Sequence, residues 1–152
     1  MSRIAIFDLD NTLNSTVHRN YLIPKDPTVN QNWLPWHTAF TNEVPNLPLL
    51  NTMERLSLDR WKIIVCSNRC ESLIGRTADW FKGHARHASI DHYFLRNPND
   101  HTPPSEWKSK TLDTLLTLSN AAITLVFDDD LKALESIQYK NGVVTIPTYF
   151  NG

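Results

Sequence analysis

Two aspartates, Asp8 and Asp10, follow an apolar run of residues 3–7 and have the side-chain type and spacing for metal-dependent chemistry. The run is short, apolar and contains β-branched residues, which predicts a buried strand that delivers both carboxylates to its C-terminal end. Residues two apart on extended backbone share a face, so the carboxylates repel unless a cation separates them or one is protonated. Mg²⁺ takes oxygen ligands and suits such a site. This stretch alone leaves open an Asp-Asn turn that merely ends the strand.

Polar side chains also follow two other predicted strands, which cover residues 61–66 and 121–127. Because ligand sites in parallel sheets lie beyond the C-terminal ends of the strands, we expect these polar clusters to lie beside Asp8 and Asp10. Acids gathered in this way cost stability and therefore indicate chemistry, whereas a charged helix N-terminus explains only the last cluster. The clusters are Ser67, Asn68 and Arg69 after the first of these strands, and Asp128, Asp129 and Asp130 after the second.

A lysine, Lys108, opens a predicted helix after a polar, proline-rich loop over residues 97–104 and can reach the same edge of the sheet. Lys110 is a rival for this position, because it lies only two residues further along the chain. In a helix, residues two apart point to different sides, so only one of these two lysines should face the site.

Strands and helices alternate along the chain, which predicts right-handed βαβ units and a doubly wound α/β fold with a central parallel sheet. Continuous apolar strands fit a sheet that helices cover on both faces. The predicted strands cover residues 3–7, 61–66, 91–96, 121–127 and 143–146. The predicted helices cover residues 46–59, 73–83, 105–118 and 131–139, with Ser105 as a candidate N-cap of the third.

A long irregular stretch, residues 14–48, separates the first predicted strand from the first predicted helix. Its prolines forbid a long helix, although a short helix is predicted near residues 36–41. A loop of this length inside a compact domain is usually functional, so we interpret it as a lid or small-cap insertion. Its tryptophans, Trp33 and Trp36, either pack together as a satellite core or stack on a substrate base.

The chain has 152 residues and a net charge of −1, which predicts one domain, residues 1–152, without the broad cationic surface that grips duplex nucleic acid. Two cysteines, Cys66 and Cys70, have neither zinc-site spacing nor the number for a disulfide framework, so we expect reduced thiols. No apolar run approaches 18 residues, and the N-terminus lacks the apolar core of a signal peptide. We therefore expect a cytoplasmic protein, in the host cytoplasm if a bacteriophage encodes it, with no membrane contact and no obligate protein partner.

The chemistry that this combination predicts is phosphoryl transfer at a metal. Acids that bind Mg²⁺ allow its charge to offset the repulsion between an anionic nucleophile and a phosphate dianion. One aspartate then attacks phosphorus and forms an aspartyl phosphate, and a second, two residues on, protonates the leaving oxygen and later activates water. Ser67 and Lys108 are the candidates to bind the remaining phosphoryl oxygens.

The four clusters, taken in order, resemble the four motifs of haloacid dehalogenase (HAD) superfamily phosphatases. The matching residues are Asp8-Leu9-Asp10-Asn11-Thr12 for the Asp-x-Asp-x-Thr motif, Ser67 for the second motif, Lys108 for the third, and Asp128-Asp129 for the acidic pair. The resemblance implies a three-layer Rossmann-like fold with a minimal cap, Asp8 as the nucleophile and Asp10 as the acid/base. It also implies a Mg²⁺ site whose ligands are Asp8, the Asp10 carbonyl and one or both of Asp128 and Asp129.

Several shorter stretches resemble the phosphatase domains of bacteriophage polynucleotide kinases. They are Ser67-Asn68-Arg69, residues 96–100 followed by Lys108, His18-Arg19-Asn20-Tyr21, and Trp36-His37 followed by Phe40. The chain departs from that pattern at Asn68, at Pro103-Pro104 and at Asp130. The candidate substrate contacts are Asn68, Arg69, Arg19, His18, Arg76 and Trp36, and surface salt bridging is the alternative for Arg19 and Arg76.

The sequence therefore predicts a Mg²⁺-dependent phosphomonoesterase whose substrate is a nucleic-acid 3′ end or a 3′-nucleotide. One alternative is a 5′-deoxyribonucleotidase or another phosphatase of small molecules. A second alternative is a catalytically idle domain that binds a nucleotide or a partner protein. The complete set of acids, serine and lysine argues against the idle domain, because loss of the nucleophile is a common mark of idle relatives.

Overall fold

The computed structural model describes residues 2–40 and 43–152, and a five-stranded parallel sheet forms the centre of the described chain. The strands are β1 (Arg3–Phe7), β2 (Lys62–Cys70), β3 (His92–Arg96), β4 (Ile123–Asp128) and β5 (Val143–Pro147). Their order across the sheet is β3-β2-β1-β4-β5, which is the doubly wound arrangement that the alternation of elements predicts. Because the order reverses at β1, the C-terminal ends of β1 and β4 lie side by side.

Five α-helices connect or flank these strands in the described chain: α1 (Leu34–Thr38), α2 (Leu47–Leu58), α3 (Ile74–His84), α4 (Pro104–Ser119) and α5 (Leu131–Ile137). Polar caps set where two of them begin. The Asn46 side chain accepts a hydrogen bond from the Leu49 amide at the start of α2, and the Asp130 side chain accepts one from the Ala133 amide at the start of α5. None of the helices in the described residues has the length and apolar content to cross a membrane.

Alternate residues along the strands build one core on each face of the sheet. Ala5 and Phe7 of β1 belong to the first core, and Ile4 and Ile6 belong to the second. The first core also contains Leu50, Met53, Trp80 and Phe81 from α2 and α3, and the second contains Leu112, Ala133, Leu134 and Ile137 from α4 and α5. Burial on both faces holds the strands, and therefore the polar residues at their ends, in fixed positions.

The structure differs from the sequence-based expectations at several element ends, of which three follow. β2 continues to Cys70, which pairs with Arg96 of β3 after an irregular register at Ser67, so the polar cluster lies within the end of the strand. α4 begins at Pro104, and Ser105 as its cap was wrong, because proline suits the first helical position, where no amide hydrogen is needed. The short helix α1 covers residues 34–38, and Thr41 of its predicted range lies outside the described residues.

Gly142, just before β5, is the position where the fold most clearly requires glycine. Its φ is +77°, and a Cβ atom there would lie 2.5 Å from the Ala122 carbonyl oxygen. We expect Gly142→Ala to lower the free energy of unfolding by about 1–3 kcal/mol in chemical denaturation. Gly83→Ala is the matched control, because it lies in α3 with open space around it and should be neutral or stabilise by up to about 1 kcal/mol. Equal stabilities of the two variants would contradict this account.

Candidate active site

Three carboxylates meet where β1 and β4 end. Asp8 follows β1, its amide donates to the Phe127 carbonyl oxygen at 2.8 Å, and Asp128 ends β4 on the neighbouring strand. One oxygen from each of Asp8, Asp128 and Asp129 lies within 4.8 Å of the others. The juxtaposition follows from the parallel register, in which Phe7 is paired with Phe127. The two acidic clusters of the sequence are therefore one cluster in space.

A tight turn after Asp8 aims its carboxylate. The amides of Thr12 and Leu13 both donate to the Leu9 carbonyl oxygen, and Asn11 has a φ of 67°, a left-handed conformation that asparagine tolerates better than most residues. The turn brings the Thr12 hydroxyl back to Asp8, where it donates to Oδ2 at 2.9 Å. One oxygen of Asp8 is thus fixed by the motif's own threonine.

Lys108 of α4 holds the other oxygen of Asp8. Its Nζ donates to Asp8 Oδ1 at 2.8 Å, to Asp128 Oδ2 at 3.0 Å and to the Cys66 carbonyl oxygen at 2.8 Å, so all three of its hydrogens have acceptors. The side chain is fully buried. Burial alone would lower the pKa of Lys108, but Asp128 and Asp8 outweigh it and hold this pKa well above its ordinary value. The lysine therefore stays charged at the centre of the acidic cluster.

The acidic cluster has more negative charge than one lysine can balance. Burial, with the nearby charge of Asp8, raises the pKa of Asp128 to about 6. The same causes raise the pKa of Asp129 to about 9. Carboxylate oxygens in this arrangement are hard ligands of the kind that Mg²⁺ prefers, so the donor set fits a Mg²⁺ ion. Asp8, Asp128 and Asp129 are the side chains that would hold it.

Asp10 has a different environment from its neighbours. Its Oδ1 accepts hydrogen bonds from Arg19 Nη2 at 2.7 Å, from Arg69 Nη2 at 2.6 Å and from Asn14 Nδ2 at 3.1 Å. Burial opposes the charged form of Asp10, but Arg69 and Arg19 outweigh it and hold the pKa of Asp10 far below its ordinary value. The motif's two aspartates therefore lie in different environments, because one faces a lysine and the other faces two arginines.

Glu43 lies behind Asp10 against the same two arginines, and sequence analysis missed it. It is buried, and its Oε1 faces Arg19. Its Oε2 lies 3.7 Å from Arg69 Nη2 and accepts a hydrogen bond from Asn14 Nδ2. Two arginines thus face two carboxylates, Asp10 and Glu43. One feature of the sequence could have pointed to Glu43. Between Asp26 and Glu54 it is the only Lys, Arg, Asp or Glu residue.

The buried Glu43 carboxyl predicts a pH dependence of stability. Burial, with the charge of Asp10, raises the pKa of Glu43 to about 8 in the folded chain from an ordinary value of 4.5. Between these values the folded state holds a proton that the unfolded state has lost, so stability falls as pH rises. We expect the melting temperature of metal-free protein to fall between about pH 4.5 and about pH 8, and to fall less steeply in Glu43→Gln.

The measurement is thermal unfolding by circular dichroism with a chelator present. Glu135→Gln, at an exposed position of α5, is the control and should keep the wild-type slope. A Glu43→Gln profile parallel to the wild-type profile would show that Glu43 does not titrate in this range.

A cavity of about 610 Å³ opens above these groups. The acidic cluster, Asp10, Lys108 and Ser67 form its floor. Part of its wall comes from the irregular segment between β1 and α2, through Pro27, Thr28, Asn30, Trp33, Trp36 and His37. The opposite wall comes from Asn68, Arg96 and the loop from His101 to Pro104. The cavity therefore lies between the acidic cluster and an aromatic, proline-rich wall, and its volume suits a small organic group.

The structure brings together most of the residues that the sequence singled out. The cavity is lined by Asp8, Asp10, Ser67, Asn68, Trp36, Lys108, Asp128 and Asp129. Lys110, the rival of Lys108, instead lies exposed and pairs with Glu106 at 2.8 Å. Asp130 also lines the cavity while it caps α5.

Four of the predicted substrate contacts are not among the described residues that line the cavity. Arg19 and Arg69 are fully buried and bind Asp10 and Glu43. His18 is exposed, with Nε2 3.2 Å from the Ala39 carbonyl oxygen, and Arg76 is exposed and donates to the Thr38 carbonyl oxygen. Their roles as substrate contacts stay predictions.

One face of the Trp36 ring is already occupied. The Arg19 guanidinium lies over this ring at 3.9 Å from its centroid, and Trp33 and His37 pack against it edge to face. Trp36 therefore belongs to a packed aromatic group, whereas Trp33 is only partly buried and donates its ring N–H to the Pro27 carbonyl oxygen. Both alternatives for the tryptophans, packing and substrate contact, fit this arrangement, with Trp33 the more accessible ring.

Comparison with known proteins gives fold similarity without close sequence similarity. No protein-family model matches the chain, and no curated protein matches it. A chain of the Pnkp1/Rnl/Hen1 RNA repair complex aligns with 99% of this chain at a TM-score of 0.65 and 15% identity. A HAD-superfamily hydrolase from Ehrlichia chaffeensis aligns with 97% at a TM-score of 0.61 and 14% identity, over 88% of its own length.

A third similar structure is a D,D-heptose 1,7-bisphosphate phosphatase from B. bronchiseptica complexed with magnesium and phosphate. It aligns with 100% of this chain and 83% of its own, at a TM-score of 0.57 and 15% identity. The present chain spans only 43% of the matched chain in the RNA repair complex. The α/β architecture, strand order and structural neighbours agree, and the chain has the fold of HAD-superfamily hydrolases.

Proposed function

We propose that this protein is a Mg²⁺-dependent phosphomonoesterase that works through an aspartyl-phosphate intermediate. The observation that supports this most is the fixed position of Asp8 beside Lys108, Asp128 and Asp129 at the floor of the cavity. A buried carboxylate beside a charged lysine and a site for a divalent cation is poised to act on an anionic phosphate. The idle-domain alternative does not explain why these costly charges are gathered at a cavity.

In the proposed reaction, an oxygen of Asp8 attacks phosphorus and the bond from phosphorus to the leaving oxygen breaks. The phosphoryl group is then held on Asp8. Asp10 supplies a proton to the leaving oxygen, which requires that the hold of Arg19 and Arg69 weakens first, since these arginines keep Asp10 ionised in the free protein. Water next attacks the phosphorus of the aspartyl phosphate, gives its proton to Asp10 and releases inorganic phosphate. A bound Mg²⁺ would supply charge stabilisation for the phosphoryl oxygens.

Other groups of the chain position the reacting atoms. The Thr12 hydroxyl and Lys108 Nζ orient the two oxygens of Asp8, and the Ser67 hydroxyl is available to a phosphoryl oxygen. Lys108 would become available to another phosphoryl oxygen if a bound Mg²⁺ took over its carboxylate acceptors. Arg19 and Arg69 fix Asp10 in one orientation, and Glu43 packs against both arginines. Fixed dipoles and charges of this kind lower the cost of reorganisation during reaction.

We further propose that the irregular segment over residues 14–48 acts as a minimal cap that selects the substrate. It supplies one wall of the cavity and is joined to the opposite loop by Asn30, whose side chain donates to the Asn97 and Pro98 carbonyl oxygens, and by Gln31, whose side chain donates to Asn99. The aromatic wall suits a nucleoside, so a nucleic-acid 3′ end or a 3′-nucleotide is the proposed substrate. The fold similarity to a chain of an RNA repair complex supports the same substrate class.

The test is inorganic phosphate release from three substrates: a 3′-phosphorylated oligonucleotide, a 3′-mononucleotide and a 5′-mononucleotide. We expect release from the 3′ substrates with Mg²⁺ and none with a chelator. Preference for the 5′-mononucleotide would instead support a nucleotidase. No release from any substrate by folded, Mg²⁺-loaded protein would overturn the nucleotide assignment.

A further inference from the structure

Arg96, at the end of β3, lines the cavity but has no part in the proposed reaction. Its side chain is 3% exposed. Nη1 donates to Asn68 Oδ1 at 3.1 Å, and Nη2 donates to the Thr102 carbonyl oxygen. Within the described part of the chain, Nε has no hydrogen-bond partner. A buried guanidinium with an unused donor at a cavity wall is unusual and calls for a physical reason.

The charge of Arg96 is also incompletely balanced. The nearest carboxylate, Asp100, lies 4.0 Å from Nη2, at the limit of an ion pair, and is itself partly exposed. Its two hydrogen-bond acceptors, the Asn68 amide oxygen and the Thr102 carbonyl, are neutral. Among the described lining residues, Arg96 and Lys108 are the two Lys or Arg side chains, and Lys108 already binds two carboxylates. Arg96 is therefore the cation of the described cavity wall that remains available to an anion.

The strand order of the sheet sets the distance between Arg96 and the Asp8 end of β1. β3 is separated from β1 by β2, and neighbouring strands lie about 4.8 Å apart, so the ends of β1 and β3 are on the order of 10 Å apart. Asn68, which binds Arg96, follows Ser67 directly, so the two groups share one continuous wall. A span of this size corresponds to the scale of one nucleotide, not to that of a single phosphate.

We propose that Arg96, steadied by Asn68, binds a second phosphate carried by the leaving group of the substrate. The preferred substrate is then a phosphomonoester whose alcohol carries another phosphate, as in a nucleoside 3′,5′-bisphosphate or the terminal nucleotide of a 3′-phosphorylated strand. The guanidinium fork suits a phosphate because it presents paired donors. This inference rests on the proposed phosphatase function and adds to it the feature that the cavity uses to choose among phosphate esters.

The test compares thymidine 3′-phosphate, thymidine 3′,5′-bisphosphate and a 3′-phosphorylated dinucleotide with wild-type protein and with Arg96→Met. We expect the kcat/KM ratio of the bisphosphate to the monophosphate to be at least about tenfold in the wild type, and to fall to about one in Arg96→Met. Because both substrates are measured on the same protein preparation, a misfolded fraction lowers both rates equally and leaves their ratio unchanged. Arg96→Lys should restore only part of the ratio, because it keeps the charge but loses the fork.

Arg86→Met is the matched control, since Arg86 is exposed on the loop that precedes β3, whereas Arg96 lies at the C-terminal end of that strand. The dinucleotide distinguishes the two sources of the second phosphate: a preference equal to that for the bisphosphate indicates strand ends, and a preference for the bisphosphate alone indicates a free nucleotide. An unchanged ratio in Arg96→Met, with phosphate release retained, would overturn this inference and leave the phosphatase function standing.

Binding supplies a readout that does not need turnover. In the Asp8→Asn background, titration calorimetry should show that the bisphosphate binds at least about tenfold more tightly than the monophosphate, and that Arg96→Met removes this difference. Equal affinities with intact Arg96 would overturn the inference. If no substrate releases phosphate but the binding difference is present, the phosphatase function fails while the second phosphate site stands.

Discussion

Asp8→Asn lowers the rate of phosphate release by at least about a thousandfold, by the proposed mechanism, because an amide cannot attack phosphorus. The substitution keeps the shape of the side chain. Its amide oxygen can accept the hydrogen bond from Lys108, and its NH₂ group can donate to the Thr12 hydroxyl, which reverses the direction of that bond. It also removes one of three carboxylates that repel one another in the metal-free cluster. We therefore expect the metal-free variant to melt at the same temperature as the wild type or higher, so that lost activity is not lost folding.

The measurements are steady-state phosphate release on the best substrate and thermal unfolding by circular dichroism. Asp79→Asn is the control, since Asp79 is exposed on α3 and pairs only with Lys82 at 3.8 Å. It should keep wild-type activity and stability. A variant Asp8→Asn that retains more than a few per cent of the wild-type rate would rule out Asp8 as the nucleophile.

Lys108→Met has the second large effect, because it affects both the reaction and the fold. Methionine fills similar space but leaves Asp8 and Asp128 buried without their cation. Removing one partner of a buried ion pair costs roughly 3–5 kcal/mol, and losing a donor to the phosphoryl group costs about a hundredfold or more in rate. We expect the loss of stability in metal-free protein, measured by denaturant unfolding. We expect the loss of rate in Mg²⁺-loaded protein, measured by phosphate release.

The effect of Mg²⁺ on the melting temperature gives a further test of Lys108→Met. The ion would occupy the carboxylates that Lys108 now binds, so Mg²⁺ should raise the melting temperature of Lys108→Met more than that of the wild type. Lys110→Met is the control, because Lys110 is exposed and pairs with Glu106 within one helix. If Lys110→Met lost activity while Lys108→Met kept it, the assignment of the motif lysine would be wrong.

Much of this molecule follows from local sequence. Alternating apolar strands and helices predict the doubly wound sheet, and the parallel register then brings Asp8 and Asp128 together without any further information. Helix periodicity also limits the choice between Lys108 and Lys110 to one residue. These features are readable because each depends on spacing along the chain and on the geometry of regular elements.

The tertiary structure alone decided what surrounds Asp10. Arg19 and Glu43 lie far apart within the irregular segment and Arg69 lies in β2, so their pairing depends on how that segment folds and packs against β2. Neither hydrophobic periodicity nor residue spacing predicts such a contact, because a loop has no regular repeat that determines which side chains are buried. The burial of Arg96 at the cavity wall has the same origin, since it depends on Asn68 and Thr102 from different elements. The sequence by itself determined the sheet and the place of the candidate acids at its edge, and three-dimensional packing determined which cations lie beside those acids and which one we propose as a ligand contact.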